Sequence, residues 1–346
     1  MIKISIGILA WNEEDGIARS LRSLFQQDLL ARTPDWVEAL EVVVVPNGCR
    51  DATAQRAEAA LAELTDHRRD PRITTRVVSL AQPGKSNAWN EYVHRLARPD
   101  ATYMLLMDAD VELSGPDVLA RLVEALERDR VALVACGNPI KDLAVSPEKG
   151  SLFTRLSLSA SSLRAVGTVG LCGMLYCARG DALRRVHLPP HLLVEDGFLR
   201  AMIATSAFKH SDEAERVIRV DEAQVIFEAE KTLRGLLRHE RRICTGSLVN
   251  FMLFRELPRR AGTEDVSEYI RRRNDDDPAW LVKLVNEQTT GRLWLVPTDW
   301  LLRRFLRARK ANQLVQRLPF LVPASVFDLV VAVLANVELK RGRLAW

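Results

Sequence analysis

The sequence predicts an α/β fold: a mostly parallel sheet flanked by helices, followed by a helical, basic carboxyl-terminal extension. Two patterns carry the sheet. Short runs rich in Ile and Val alternate with longer amphipathic stretches, the βαβα order that puts helices on both faces of a parallel sheet. Polar turns recur just after those runs, where such sheets bind their ligands. Charge carries the extension. Residues 1–230 hold 27 Lys+Arg against 33 Asp+Glu, a balance of −6, and residues 231–346 hold 22 against 12, a balance of +10. The net charge of +4 conceals this division, and the basic part anticipates an anionic partner.

Ile2–Ala10 reads as the first strand, with a helical pattern from Glu13 to about Leu30. Glu41–Val45 is a second strand. Pro46–Asn47–Gly48 turns the chain, and Asp51 is an N-cap for a helix to about Leu64. Ile73–Leu80 is the third strand, Gly84–Lys85–Ser86 opens a helix to about Leu96, and Tyr103–Met107 is the fourth strand. A helix near Pro116–Arg128 and a strand near Val131–Cys136 follow. Farther on, Pro147–Leu163 reads as helix, Val169–Cys177 as strand and Val194–Ile203 as helix, with Val217–Val220 and Gln224–Phe227 as further strands. From Lys231 the segments are helical and rich in arginine. Arg271–Asp277 is three arginines, an asparagine and three aspartates, and reads as a solvated loop.

Composition excludes several classes. Hydrophobic content of 47% with 27% charged residues excludes global disorder. Cys49, Cys136, Cys172, Cys177 and Cys244 form no CxxC pair and no zinc spacing, which suits a reduced, cytoplasmic setting. The start, MIKISIGILAWNEED, lacks a cleavable signal pattern. No GxGxxG follows the first strand and no Walker loop occurs, so a dinucleotide oxidoreductase is disfavoured. No nucleic-acid-binding module is recognisable, and no nucleic acid is expected as partner.

Four short motifs bear on chemistry. Asp108–Ala109–Asp110 ends a buried strand. Its two carboxylates either hold a hard divalent cation, Mn2+ or Mg2+, or are simply solvated at a turn. Gly84–Lys85–Ser86–Asn87 is either an anion-binding helix start with a mobile cation or an ordinary helix start. Asn47 closes the second strand, where the segment is either a turn plus N-cap, which accounts for Gly48 and Asp51, or offers a polar side chain to a nucleobase across the sheet. Glu195–Asp196 precedes a helical run, and its carboxylates serve as N-cap or as general base.

In order, these segments resemble the inverting glycosyltransferases of family 2, which use the GT-A nucleotide-sugar fold. The matching segments are ISIGILAWNEEDGIARSLRSL, EVVVVPNGCRDAT, QPGKSNAWN, YMLLMDADVEL and VEDGFL, spanning residues 2–200 with a looser match to 250. The resemblance implies a catalytic domain over 1–230, its nucleotide-binding half over 1–112 and its acceptor half over 113–230. Residues 231–346 would be an extension completing the site. Ala10, Trp11, Asn12 and Glu13 would edge the nucleotide pocket, Asn47 would stand at the base and Lys85 near the nucleotide. Asp108, Ala109 and Asp110 would form the DxD element, with Asp110 the direct ligand of Mn2+ or Mg2+. Gly173 would lie in the small-residue loop under the transferred sugar, and Glu195 would belong to the nucleotide-sugar-binding set. Asp196 would be the catalytic base, and Arg242 would contact the diphosphate. Ala10 replaces the usual proline, PNGC the usual DDGS-like turn, and His239 and Ile243 the Gln and Trp of QxxRW. That last change favours single addition over processive synthesis.

The resemblance implies a nucleoside-diphosphate sugar donor, UDP or GDP type, and a glycan or lipid-linked acceptor in polysaccharide or glycoconjugate assembly. Trp300–Arg309 places Arg303, Arg307 and Lys310 on one helical face, the look of an interfacial amphipathic helix. Phe320–Val337 is mostly apolar but interrupted by Pro323, Asp328 and Asn336, so it reads as packed on the domain or lying in a bilayer surface. Peripheral contact with an anionic membrane, at the cytoplasmic face of the inner membrane, is weighed against helices that only complete the core. Two other functions stand beside the transferase: a non-catalytic sugar-nucleotide or glycan-binding scaffold, and a sugar-phosphate nucleotidylyltransferase, whose glycine-rich turn is missing.

Overall fold

The computed structural model describes residues 1–66, 70–142, 170–230, 232–310 and 314–342. The expected helix Pro147–Leu163 lies outside them. Eight strands form one mixed sheet in the order β3-β2-β1-β4-β7-β6-β8-β5. They are β1 (Ile2–Ala10), β2 (Val37–Pro46), β3 (Ile73–Val77), β4 (Tyr103–Asp108), β5 (Glu112–Leu113), β6 (Val134–Lys141), β7 (Leu175–Arg179) and β8 (Val217–Phe227). The β3-β2-β1-β4 half is parallel throughout. β7 is antiparallel to both β4 and β6, β8 is parallel to β6, and β5 is antiparallel to β8. Helices α1 (Ile17–Phe25), α2 (Asp28–Ala31), α3 (Thr53–Asp66), α4 (Lys85–Glu91), α5 (Val118–Arg128), α6 (Gly180–Arg184) and α7 (Glu195–Ala204) connect them.

β1 is central, so both of its faces are covered and it reads as a continuous apolar run. Ile4, Ile6, Ile8 and Ala10 enter one apolar layer with Ile17, Leu21 and Leu122. Leu9 enters the opposite layer with Met104, Leu106, Trp89 and Tyr92. Successive residues on a strand point to opposite faces, which sorts them this way. Gly7 belongs to the second face, where a Cβ would sit 2.5 Å from the Tyr92 ring. The helix therefore packs directly on the strand backbone, and the Tyr92 hydroxyl shares a hydrogen bond with Ser5 Oγ at 2.7 Å.

Several boundaries differ from the sequence expectation. The helix expected over Glu13–Leu30 divides into α1 and α2 around Gln26 and Gln27, and the buried Gln27 amide donates to the Gly115 carbonyl at 2.6 Å. The helix opened by Lys85 changes to a π-helical turn at Tyr92–Leu96. The fifth expected strand begins later, at Val134, and runs to Lys141, while Val217–Phe227 is one strand because its partner β6 continues past a register shift between Cys136 and Asn138. Arg271–Asp277 is not a loop. It forms most of α9 (Val266–Asp276), which follows α8 (Leu233–Ala261). The Asp265 carboxylate caps α9 by accepting from the Ser267 and Glu268 amides. Each arginine then meets an aspartate one turn on: Arg271–Asp275 at 3.4 Å, Arg272–Asp276 at 3.9 Å and Arg273–Asp277 at 3.8 Å.

The remaining helices are α10 (Trp280–Thr289), α11 (Thr298–Leu301), α12 (Arg303–Lys310) and α13 (Leu314–Lys340). Their apolar residues are continuous with the second layer of the sheet: Cys244, Leu253, Leu284 and Val331 share one cluster with Leu9 and Met104. Arg303 departs from its expected place on a lipid-facing stripe. It turns inward, donating to Asp328 Oδ1 at 2.9 Å, while Arg304 donates to Asp328 Oδ2 at 2.7 Å. Asp328 is wholly buried, and the Arg303 guanidinium also stacks 3.5 Å from the Trp300 ring centroid. This charge cluster fixes α12 against α13 and, through Glu240, against α8. The side chains of Arg307 and Lys310 lie outside the described set.

A stacked pair of imidazoles joins the sheet domain to α9. His94 and His187 lie with ring centroids 3.9 Å apart and planes 2° from parallel. His94 Nε2 meets the Val186 carbonyl at 2.9 Å, and His187 Nδ1 meets Ser267 Oγ at 3.2 Å. Burial pushes the His187 pKa down to about 4, helped by His94 and Arg271 and opposed by Glu268 and Asp275. Burial likewise lowers His94.

Two outcomes follow. Asp328→Ala leaves two arginines facing an emptied buried site and is expected to cost about 3–5 kcal/mol in urea unfolding. A loss below about 1 kcal/mol would contradict the pairing. For His187, the unfolded ring takes up a proton near its ordinary value while the folded ring resists until about 4. Its contribution is therefore intact above that ordinary value and is lost as the pH falls toward 4. In His187→Asn the urea midpoint should fall less steeply over that window than in the parent chain.

Candidate active site

β1, β2 and β4 end together, because Ala10 pairs with Pro46 and Leu9 with Asp108. The turns after them therefore form one rim. Asn12 sits there at φ 55°, a left-handed conformation that asparagine tolerates, and its Oδ1 accepts from the Arg50 amide at 2.9 Å. Asp51 accepts from the Thr53 amide at the start of α3 and from the Glu14 amide, so the N-cap expected there also ties two turns of the rim together.

Asn47 is 3% exposed. Its Nδ2 donates to the Ala10 carbonyl at 2.7 Å, and its Oδ1 accepts from the Gly84 amide at 3.1 Å. The amide therefore clamps the ends of β1 and β2 to the loop before α4. Sequence reasoning placed Asn47 at a nucleobase; here its polar atoms are engaged by backbone. Gly84 itself lies at φ +128°, which a side chain would rarely adopt, and hands the chain to Lys85.

Lys85 is the centre of the site. Its Nζ lies 2.6 Å from Asp108 Oδ1 and 2.9 Å from Glu195 Oε1. Burial alone would lower its pKa, but Asp108 and Glu195 outweigh that and hold the ammonium charged far above its ordinary range. Asp108 is pushed up to about 6 by burial, against Lys85 and with the help of Asp110. Ala109 is buried and Asp110 is exposed, so the two aspartates differ: one is held by a cation of the chain, the other faces solvent. Glu13 reaches about 7, raised first by burial and then by Asp110 and Asp108. Glu13, Asp108 and Asp110 thus form a cluster of negative charge beyond β4. Among the described residues, no three His, Cys, Asp or Glu converge as a preformed metal cage.

Glu195 and Asp196 begin α7. Asp196 Oδ1 accepts from the Gly197 amide at 2.7 Å. Burial raises the Asp196 pKa and Glu195 raises it further, while the Gly197 bond, Lys85 and Arg242 oppose them. Gly173 packs against this carboxylate: a Cβ there would lie 3.1 Å from Asp196 Cβ. A cleft with an internal volume of ≈ 10 Å³ is walled by Lys85, Asp108, Gly173, Tyr176, Glu195 and Asp196, room for about one water. Tyr176 accepts from Trp89 Nε1 at 2.7 Å and closes its floor. α8 brings Arg242 to the site, because Gly246 lets it approach Val194 and the Asn250 amide donates to the Val194 carbonyl at 2.8 Å.

The structure thus brings together Lys85, Asp108, Gly173, Glu195 and Asp196, with Arg242 near enough to act on Asp196. Asp110, exposed, and Glu13, half-buried, lie near Asp108, and Ala10 and Asn12 belong to the adjoining rim. Sequence reasoning missed the Lys85–Glu195 pair and the closeness of Glu13 to the DxD carboxylates. The first joins residues 110 positions apart, so no local pattern reveals it. The second follows from β1 and β4 being neighbours that end at one level.

Comparison with known proteins adds three findings. The family model described as Glycosyl transferase family 2 matches residues 5–166. No curated protein matches. Among solved structures, the chain resembles the mannosyltransferase PcManGT from Pyrobaculum calidifontis in complex with GDP-Man and Mn2+. That likeness has 17% identity, covers 97% of this chain and 86% of the other, and has a TM-score of 0.56. It also aligns with glucosyl-3-phosphoglycerate synthase from Mycobacterium tuberculosis in complex with Mg2+ and uridine-diphosphate, at 19% identity over 72% of this chain and 79% of that one, with a TM-score of 0.47. Over residues 5–166 the chain therefore carries the glycosyl transferase family 2 pattern that its motifs resemble, on a mixed α/β sheet of the GT-A type.

Proposed function

We propose that this protein is a metal-dependent inverting glycosyltransferase. It moves one sugar from a nucleoside-diphosphate sugar to a hydroxyl of a glycan or lipid-linked acceptor. The observation that carries the reading is the convergence of Asp196 with the Lys85-bridged pair of Asp108 and Glu195. It places a carboxylate of raised pKa across a small cleft from a fixed cation, the arrangement a displacement needs.

Asp196 would take the proton from the acceptor hydroxyl, leaving that oxygen to attack the anomeric carbon from the face opposite the departing diphosphate. The C–O bond to the diphosphate breaks as the new one forms, and the configuration inverts. The Gly197 amide holds one Asp196 oxygen and so orients the carboxylate. Gly173, lacking a side chain, lets the Asp196 side chain pack against the loop it lies in. Glu195 keeps Lys85 in place, and Lys85 with Arg242 would face the charge that develops on the leaving group. Asp108 and Asp110 fit a divalent ion on chemical grounds as two hard oxygen donors, and burial first, then neighbouring negative charge, raises the pKa of Asp108. Asp110, exposed and free of Lys85, would be the direct ligand, with Asp108 beside it. Bound there, Mn2+ or Mg2+ would neutralise the diphosphate.

The donor class we infer is a UDP or GDP sugar, with the nucleotide over the rim of Ala10, Asn12, Glu13 and Asn47. The division of labour we infer is a catalytic domain over 1–230 and an extension over 231–346. The setting is cytoplasmic and peripheral to the inner membrane, in polysaccharide or glycoconjugate assembly.

Asp196→Asn should lower turnover at least ~100-fold while donor affinity changes less than about threefold. Near-normal turnover would remove Asp196 from the role. Chelation by EDTA should abolish transfer and Mn2+ restore it, with Asp110→Asn requiring more Mn2+ than the parent chain. Undiminished transfer after chelation would remove the metal. A thermal-shift screen of UDP-, GDP-, CMP- and dTDP-sugars, with and without Mn2+, identifies the donor as the one whose stabilisation needs the ion.

A further inference from the structure

Helix α13 buries one side and leaves the other bare. Leu321, Asp328, Val331, Ala332, Ala335 and Leu339 face the protein. Val322, Val326, Leu329, Val330, Val333 and Val337 are exposed. Steps of three and four residues, with Leu329 and Val330 adjacent, put them on one face along about four turns. Continuing that step from Val333 and Val337 reaches Lys340, which is exposed at the end of the same face.

The chain segment beside that end is of matching character. The Asn336 side chain accepts from the Leu295 amide at 2.9 Å and donates to the Leu293 carbonyl at 3.3 Å, which fixes residues 293–295 along the edge of the stripe. Leu293 is 88% exposed there, and Trp294 is exposed beside it. Arg292, Lys340 and Arg341 line a shallow basin of ≈ 540 Å³ with Asn286, Thr289 and Thr290. Among the described residues these three cations have no ion pair. They are therefore unlike Arg303 and Arg304, whose charge is spent on Asp328.

We propose that this face is a membrane contact: the apolar stripe of α13 lies in the plane of an anionic bilayer, and Arg292, Lys340 and Arg341 bind lipid phosphates at its end. An apolar stripe about four turns long, bounded by a tryptophan and a group of unpaired cations, has the chemistry of the headgroup boundary rather than of a protein interface. The buried ion pair of Asp328 supports the same geometry. It anchors the inner side of the helix to the protein, so the helix lies along the surface and does not leave it to cross the bilayer. The proposal locates the membrane side of the reading above, and its test needs no transfer activity.

The experiment is co-sedimentation of the full chain with phosphatidylglycerol–phosphatidylcholine vesicles at low and high salt, with pure phosphatidylcholine as control. Binding to the anionic vesicles at low salt is expected, weakened by salt. Lys340→Glu with Arg341→Glu should reduce partitioning about tenfold or more. Val326→Asp with Val333→Asp should reduce it similarly. Both pairs replace exposed residues, and an unchanged thermal unfolding curve shows that each variant folds. No sedimentation at low salt, or binding indifferent to both double variants, overturns the proposal. So does self-association without vesicles that Val326→Asp with Val333→Asp abolishes, since the stripe would then join two copies of this chain. Loss of transfer activity with intact vesicle binding would count against the enzymatic reading alone.

Discussion

The architecture of the site depends on one half-buried ammonium. Lys85 reaches Asp108 from one direction and Glu195 from another, and so ties the end of β4 to the start of α7. Without that cation, two carboxylates would face each other in a cleft with room for one water, and burial would drive both toward the neutral form. With it, Asp108 can end a buried strand and Glu195 can occupy the first position of a helix while 7% exposed. Asp196 is then presented to the cleft as the next residue along. The lysine also divides the acidic residues by role. Asp108 and Glu195 are paired with the chain's own cation, whereas Asp110 is exposed.

Around this bridge the sheet acts as a ruler. β1, β2 and β4 are parallel and end within one residue pair of each other, so turns from distant parts of the sequence meet at one rim. Asn47 holds that rim closed, and Gly7 lets the Tyr92 helix sit directly on β1. The carboxyl-terminal helices complete the opposite layer. Their contribution to the site passes through α8, which brings Arg242 near Asp196, and their own cohesion rests on Asp328 between two arginines.

Much of this was legible in the sequence. The central strands read correctly because burial on both faces writes them as unbroken apolar runs, and DAD, GKS and VEDG each fell where chain reversal meets the rim. Local patterns failed where contacts over long sequence distance decide. Arg271–Asp277 looked like a charged loop, yet its arginines and aspartates are spaced four apart, the helical pairing distance, and Asp265 supplies a cap. Arg303 looked like part of the basic face of an interfacial helix because its partner Asp328 is 25 residues away. The clamp that Asn47 makes was not legible either, because nothing in its neighbourhood reveals that the backbone of Ala10 and Gly84 meets both ends of its amide. The charge division of the chain was visible, but its meaning is finer than a basic half: some arginines neutralise buried carboxylates, and only a few remain for an outside partner.

The most direct measurement is the anomeric configuration released from an α-linked nucleoside-diphosphate sugar when Mn2+ is present and water replaces the acceptor. Time-resolved proton NMR distinguishes the two anomers before they equilibrate. The account predicts that the β-anomer appears first, together with stoichiometric nucleoside diphosphate, because a base at Asp196 acts from the face opposite the leaving group. Initial release of the α-anomer, or no release of nucleoside diphosphate from any such donor, would contradict it.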